Sequence, residues 1–252
     1  MIAHDLASDA SDERAFASAP LLVGGTKPIP AFRLVRFGPL RRISTTAMTH
    51  ILCGSFATAT ALTNELVALA DEKGASFWKA YGMMHQGCVL AMTGKAPKAD
   101  QMFTSGFNAL RATGTTLYMP CHLSLLAVAY AKLGRSNDAW RCLGEATTTM
   151  ETGGERWFEA EIHRTAGEIE LMEPELDAAK AEAYFERARA VARKQRAKSW
   201  ELRAAMSMAR LRRGQGKRNE ARELLAPIYG WFTEGFDTLD LKQAKALLYE
   251  LA

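Results

Sequence analysis

The side chains best suited to chemistry form two His-x-x-Cys pairs, His50 with Cys53 and His85 with Cys88, and one adjacent pair, Cys121 with His122. On a helix, positions i and i+3 share a face, so each spaced pair can present an imidazole and a thiolate to zinc. A structural zinc site needs four ligands, and the third and fourth would have to come from Cys121 and His122. The same cysteines lie within helical pattern where small packing residues belong, and that reading requires no metal. His163 has no cysteine near it and reads as an interhelical polar contact. A phosphate-binding loop would need G-x-x-x-x-G-K-[ST] between a strand and a helix. The nearest fragments, Gly24-Gly25-Thr26-Lys27 and Gly94-Lys95, lack the spacing and the strand. Nowhere do a nucleophile, a base and an orienting group stand together, so the chain reads as non-catalytic, without metal or cofactor.

A basic stretch runs from Arg187 to Arg222 through Arg189, Arg193, Lys194, Arg196, Lys198, Arg203, Arg210, Arg212, Arg213, Lys217 and Arg218. Clustered Lys and Arg can follow a phosphate backbone, so a nucleic-acid-binding regulator is the alternative reading. No recognition helix or stacking module accompanies the stretch. Glu186, Glu201 and Glu220 are interspersed, and the formal net charge is only +4, which favours a solvated, ion-paired helix face.

The elements that carry these residues repeat. Trp78, Tyr118, Phe158 and Trp200 each stand nine residues ahead of a small residue, at Gly87, Ala127, Gly167 and Ala209. Those small residues are separated by 40, 40 and 42 positions, a period found in repeat architectures. Gly94 recurs as Gly134, Ala99 as Ala139, Gly106 as Ala146, and Gly74 as Gly114 and Gly154. Within one period, Leu126, Ala127 and Tyr130 precede Gly134, and Ala139, Leu143 and Ala146 follow at i, i+4 and i+7. This predicts two helices joined at a glycine. Ser136, Asn137 and Asp138 offer N-capping oxygens to the second helix, and Gly153 and Gly154 suit a left-handed close. Pro97 suits a first helical turn. Small residues at Ala127 and Ala139 let paired helices approach closely, and the leading aromatics are expected to be buried between units. One hairpin cannot bury its apolar face alone, so several must stack.

This pattern resembles the tetratricopeptide repeat, whose small and large packing positions fall on Ala127, Tyr130, Gly134, Ala139, Leu143 and Ala146. Gly167, Ala181, Phe185 and Ala188 match in the next unit, with two extra residues around Pro174. Ala209, Gly216, Ala221 and Leu225 match in the one after. The resemblance implies an all-α, tetratricopeptide-like solenoid of about four to five hairpins over residues 46–252, a right-handed superhelix with a C-terminal capping helix. Trp78, Gly87, Tyr118, Ala127, Ala139, Phe158, Gly167, Ala181, Trp200, Ala209 and Ala221 would be its packing residues. A period near 40 instead of 34 implies longer helices or loops.

Over roughly residues 46–252, and most specifically from Ala181 to Ala252, the chain also resembles the C-terminal repeat region of bacterial signalling proteins in which a class III adenylate or guanylate cyclase domain precedes a predicted ATPase. Their catalytic positions have no counterpart here. The resemblance implies a detached or truncated regulatory repeat region that binds a protein or peptide partner on a concave face.

Hydrophobic residues at 48% and charged residues at 24% place the chain among soluble globular proteins. No run approaches the roughly 18 apolar residues of a membrane span. The acidic start MIAHDLASDASDER is unlike a secretory signal, and the cysteines lack framework spacing, so a cytoplasmic location with reduced thiols is expected. Residues 1–45 contain Gly24, Gly25, Pro28, Pro30 and Pro39 without sustained period and read as a poorly ordered leader. The segment Phe32 to Arg42 alternates apolar residues with arginines, as at an anionic membrane surface. Gly38 and Pro39 would interrupt a helix there, so it reads as an arm that packs locally. At the other end, Thr238 or Asp240 can cap a final helix, with Gln243 completing a capping box. Leu241, Ala244, Leu247, Leu248 and Leu251 form its apolar stripe beside Trp231, Phe232 and Phe236, which read as core.

Overall fold

The computed structural model describes residues 38–111 and 115–252, and every regular element among them is an α-helix. The described residues divide into two compact units, the first ending at Thr116 and the second running over Leu117–Ala252. In the first, α1 (Gly38–Leu52), α2 (Phe56–Glu72), α3 (Ser76–Met92) and α4 (Ala96–Arg111) each pack on the next, and α1 also lies on α3. The second contains α5 (Met119–Lys132), α6 (Ser136–Gly153), α7 (Glu159–Glu170), α8 (Ala178–Lys194), α9 (Lys198–Gly214), α10 (Arg218–Tyr229) and α11 (Leu239–Glu250). Here α5/α6, α7/α8 and α9/α10 are hairpins, α7 touches both α5 and α9, and α11 covers α9 and α10.

The hairpins are set by one turn used repeatedly. Residues 53–55, 93–95, 133–135 and 215–217 each place a glycine at the centre, and Gly54, Gly94, Gly134 and Gly216 have φ of 75°, 79°, 71° and 78°. A side chain resists that left-handed conformation, and glycine does not. The following residue donates its N–H to the carbonyl five positions back: Ser55 to His50, Lys95 to Leu90, Arg135 to Tyr130 and Lys217 to Arg212. Such bonds satisfy carbonyls that the helix end leaves open. The turn between α8 and α9 makes the same bond, Ala197 to Ala192, but its left-handed residue is Arg196 at φ 56°.

Small residues permit the close crossings. A Cβ on Gly167 would overlap the Phe185 ring, and one on Gly87 would stand 3.1 Å from the Phe103 ring. Ala127, Ala139, Ala181, Ala209 and Ala221 are all fully buried. The ladder extends further toward the N-terminus than its aromatics suggest. Ala47 and Ala59, 40 positions before Gly87 and Ala99, are also fully buried.

Several expectations change. Gly38 and Pro39 open α1 and do not interrupt it, because proline's missing N–H has no partner in a first turn. The leader boundary at 45 therefore falls inside a helix, and residues 1–37, like Gly114, lie outside the described residues. Phe158 and Trp200 are buried, but Trp78 and Tyr118 are only half-buried. Trp78 lies against the Leu40, Leu66 and Ala70 cluster. Tyr118 is left-handed at φ 59° and turns its ring edge-on to Trp157.

No side chain caps α6; Asp138 instead pairs with Arg135 and Arg141, both at 2.7 Å. Of the two glycines at its end, Gly153 is the last helical residue and Gly154 takes the left-handed close at φ 72°. At α11 the capping box does not form, because Thr238 donates its hydroxyl to the Gly235 carbonyl and Asp240 pairs with Arg203. Leu241, Ala244, Leu247 and Leu251 fill the space over α9 and α10, leaving Trp231 and Phe236 exposed and only Phe232 packed on that core.

Candidate partner-binding face

The first helices of successive hairpins meet through side chains about one period apart. In the first unit, Ser44 on α1 hydrogen-bonds Nε2 of His85 on α3 at 3.1 Å. In the second, the Ser124 hydroxyl of α5 donates to Oγ1 of Thr165 on α7 at 3.2 Å. One period later Glu161 on α7 accepts from Nη1 of Arg203 on α9 at 3.3 Å. Glu161 and Arg203 each stand six residues before the small residue of their helix, Gly167 and Ala209.

Around that last pair the second unit carries a charged row across α7, α9 and α11. Arg164 donates to both oxygens of Glu161, at 2.7 and 3.0 Å, and lies 3.4 Å from Glu168. Arg203 also donates to Asp240 at 2.7 Å, and Ser207 donates to Glu168. Burial opposes ionisation of Glu161, but Arg164 and Arg203 overcome it and hold the carboxyl below its ordinary range. Burial likewise opposes the Arg203 charge, and Asp240 and Glu161 outweigh it. The row alternates in sign and its members neutralise one another within the unit, with Glu161 buried. Sequence reasoning missed this row, although its signal was present: charged residues recur at equivalent positions of the repeat.

The candidate metal ligands do not converge. Among the described residues no three His, Cys, Asp or Glu side chains form a group able to hold a metal ion. His85 is fully buried, and desolvation pushes its pKa down to about 4, outweighing hydrogen bonding with Ser44 that raises it, so it is neutral at ordinary pH. Desolvation also raises the Cys88 thiol far above its usual range and the Cys142 thiol to about 11, which suits packing groups, not thiolate ligands. Cys53, Cys88, Cys121 and Cys142 are all free of disulfides. His163 is half-buried, its pKa lowered by burial and then by nearby Arg187, and its Nε2 makes no hydrogen bond.

Much of the basic stretch is committed within the protein. Arg189 pairs with Glu186, Arg193 and Lys198 with Glu201, Arg203 with Glu161 and Asp240, Arg212 with Glu182, and Arg213 with Glu250. Arg187, Lys194, Arg196, Lys217 and Arg222 remain as exposed side chains.

One hairpin departs from the common turn. Seven residues, 171–177, join α7 to α8, include Pro174, and leave Met172 and Leu176 48% and 55% exposed. Beside them lies an open, largely apolar groove of about 400 Å³ lined by Leu171, Leu176, Ala178, Leu211 and, at its polar edge, Arg210. No helix among the described residues is long and apolar enough to cross a membrane. In comparisons with known proteins, no family model matches the chain and no curated protein matches it.

Proposed function

We propose that this protein is a non-catalytic, tetratricopeptide-like repeat scaffold that binds a protein or peptide partner. Its hairpins would stack in the right-handed superhelical manner within each unit. The observation that carries the reading is side-chain pairing between first helices about one period apart: Ser44 with His85 and Ser124 with Thr165 in the same register, and Glu161 with Arg203 at equivalent positions. A protein that stacks copies of one hairpin presents the exposed edges of its first helices as a continuous surface.

Resemblance of the C-terminal third to repeat regions of cyclase and ATPase signalling proteins supports a regulatory role in the cytoplasm, with a signalling enzyme as the docking target. The ion pairs that occupy Arg189, Arg193, Arg203, Arg212 and Arg213 weigh against the nucleic-acid alternative. Capture of the full chain's partners from bacterial lysate, followed by a salt series, tests the reading. Protein partners retained at about 1 M salt, where screening acts within about 3 Å, support it. Loss of all bound material with a steep salt slope, together with co-eluting nucleic acid, overturns it in favour of the alternative. Turnover of ATP or GTP by purified protein would overturn the non-catalytic part.

A further inference from the structure

We infer that the groove beside the α7–α8 connection binds a partner segment in which an aliphatic side chain stands next to an acidic one. The inference rests on the scaffold reading above and names the partner chemistry that one site would take. Three independent observations carry it.

The first is the connection itself. The other first-to-second-helix turns, at 53–55, 93–95, 133–135 and 215–217, are three residues long and centred on glycine, whereas 171–177 is longer and lacks glycine. Insertions in a repeat array project from one face, often the binding face. The second is apolar exposure. Met172 and Leu176 are large exposed side chains of the connection, and Leu176 lines the groove together with Leu171, Ala178 and Leu211. An aliphatic side chain entering there removes apolar surface from water on both sides.

The third is charge. Arg210 borders the groove, is exposed, and among the described residues its guanidinium hydrogen-bonds the Gln243 amide oxygen at 3.4 Å and forms no ion pair within 4 Å, although Glu168 and Asp240 act on it electrostatically. The nearby carboxylates are committed elsewhere: Glu168 to Ser207 and Arg164, Asp240 to Arg203, Glu173 to the Trp140 indole N–H, and Asp177 to the Lys180 backbone N–H. Glu175 is exposed on the connection but does not line the groove. A guanidinium presents paired donors that match a carboxylate, and among the described residues no carboxylate pairs with it directly. A partner Asp or Glu would supply the missing acceptor while the neighbouring aliphatic residue fills the groove.

A phage-displayed library of random 12-residue peptides, selected against the immobilised full chain and separately against Arg210→Glu, tests this. Arg210 is exposed, so the charge-reversed protein should keep the wild-type helical spectrum. The wild type should enrich peptides pairing an aliphatic residue with an adjacent Asp or Glu. Arg210→Glu should instead enrich Lys or Arg at that place, and should bind the wild-type peptides about tenfold or more weakly. Leu176→Ser should weaken the same peptides without changing their charge preference. Enriched peptides indifferent to Arg210→Glu and Leu176→Ser would overturn this site while leaving the scaffold reading intact. No enrichment of any peptide would overturn both.

Discussion

Glu161 and Arg203 hold equivalent positions on neighbouring first helices, six residues before Gly167 and Ala209, and their side chains meet at 3.3 Å with Glu161 only 3% exposed. The repeat is therefore also a pairing rule: a residue in one hairpin finds its partner one period away. Because the pair is buried, its two halves are not equivalent to their absence.

Removing Glu161 leaves Arg164 and Arg203 facing one another with an acceptor gone. Glu161→Ala should lower unfolding free energy by about 3–5 kcal/mol, the range for breaking a buried pair from one side. Arg203→Ala should cost less, since Arg164 still neutralises Glu161. Denaturant unfolding of the two variants checks the order, and an equal or reversed order contradicts it.

The buried imidazole of His85 gives stability a pH dependence of known sign. Its folded pKa is about 4, below the ordinary 6.5, so below pH 6.5 the unfolded chain takes up a proton that the folded chain refuses. The stability it confers is complete above pH 6.5 and is lost as pH falls toward 4. Urea midpoints measured across this window should fall for the wild type and fall less steeply for His85→Phe. Parallel curves would show that His85 is not the group responsible.

Arg196 stands where equivalent turns use glycine, at φ 56°. A left-handed residue with a side chain costs roughly 1–2 kcal/mol, against which glycine's greater freedom in the unfolded chain is set. Arg196→Gly should raise the melting temperature, by about 1 kcal/mol in stability, whereas Gly216→Ala at the matching turn should lower it. Gly167→Ala should also destabilise, by about 1–3 kcal/mol, because the added methyl overlaps the Phe185 ring. Gly144, which has nothing within 4 Å of its missing Cβ, provides the contrast: Gly144→Ala should be neutral or stabilising.

Helical character and the close crossings were legible because spacing encodes them: a small residue every 40 or so positions, with a large apolar residue 16 to 18 positions later, as Phe103 follows Gly87 and Phe185 follows Gly167. The first hairpin was not, since Gly38 occupies the place where later units carry Trp78 or Trp200, and the buried Ala47 and Ala59 do not stand out by type. Capping was misread at α6 and α11 for a common reason. Asp138 and Asp240 have the right chemistry for a backbone N–H, but arginines were within reach and took the carboxylates. Trp231 and Phe236 were read as core because aromatics usually are, yet the leucines of α11 already fill that space. Such competition among partners is settled only in three dimensions. The groove at Arg210 was foreshadowed by the two extra residues around Pro174, whose effect on exposure a linear pattern does not contain.

The closing helix offers the last test. Leu241, Ala244, Leu247 and Leu251 of the C-terminal segment share one buried cluster with Leu202, Ala205, Met206 and Ala209 of α9 and with Ala221, Leu225 and Ile228 of α10. Its polar side supplies Asp240 to Arg203 and Glu250 to Arg213, while Lys242, Lys245 and Tyr249 face water. Deleting residues 238–252 would therefore expose the apolar face of the last hairpin and strip Arg203 of one of its two carboxylates. A terminal unit without a polar cover tends to aggregate. The truncated chain should lose solubility and melt at lower temperature, and both effects should appear together because one surface causes them. Sedimentation and thermal denaturation of the full and truncated chains check this: a truncated chain that stays monomeric with unchanged melting would show that α11 adds nothing to the core it covers.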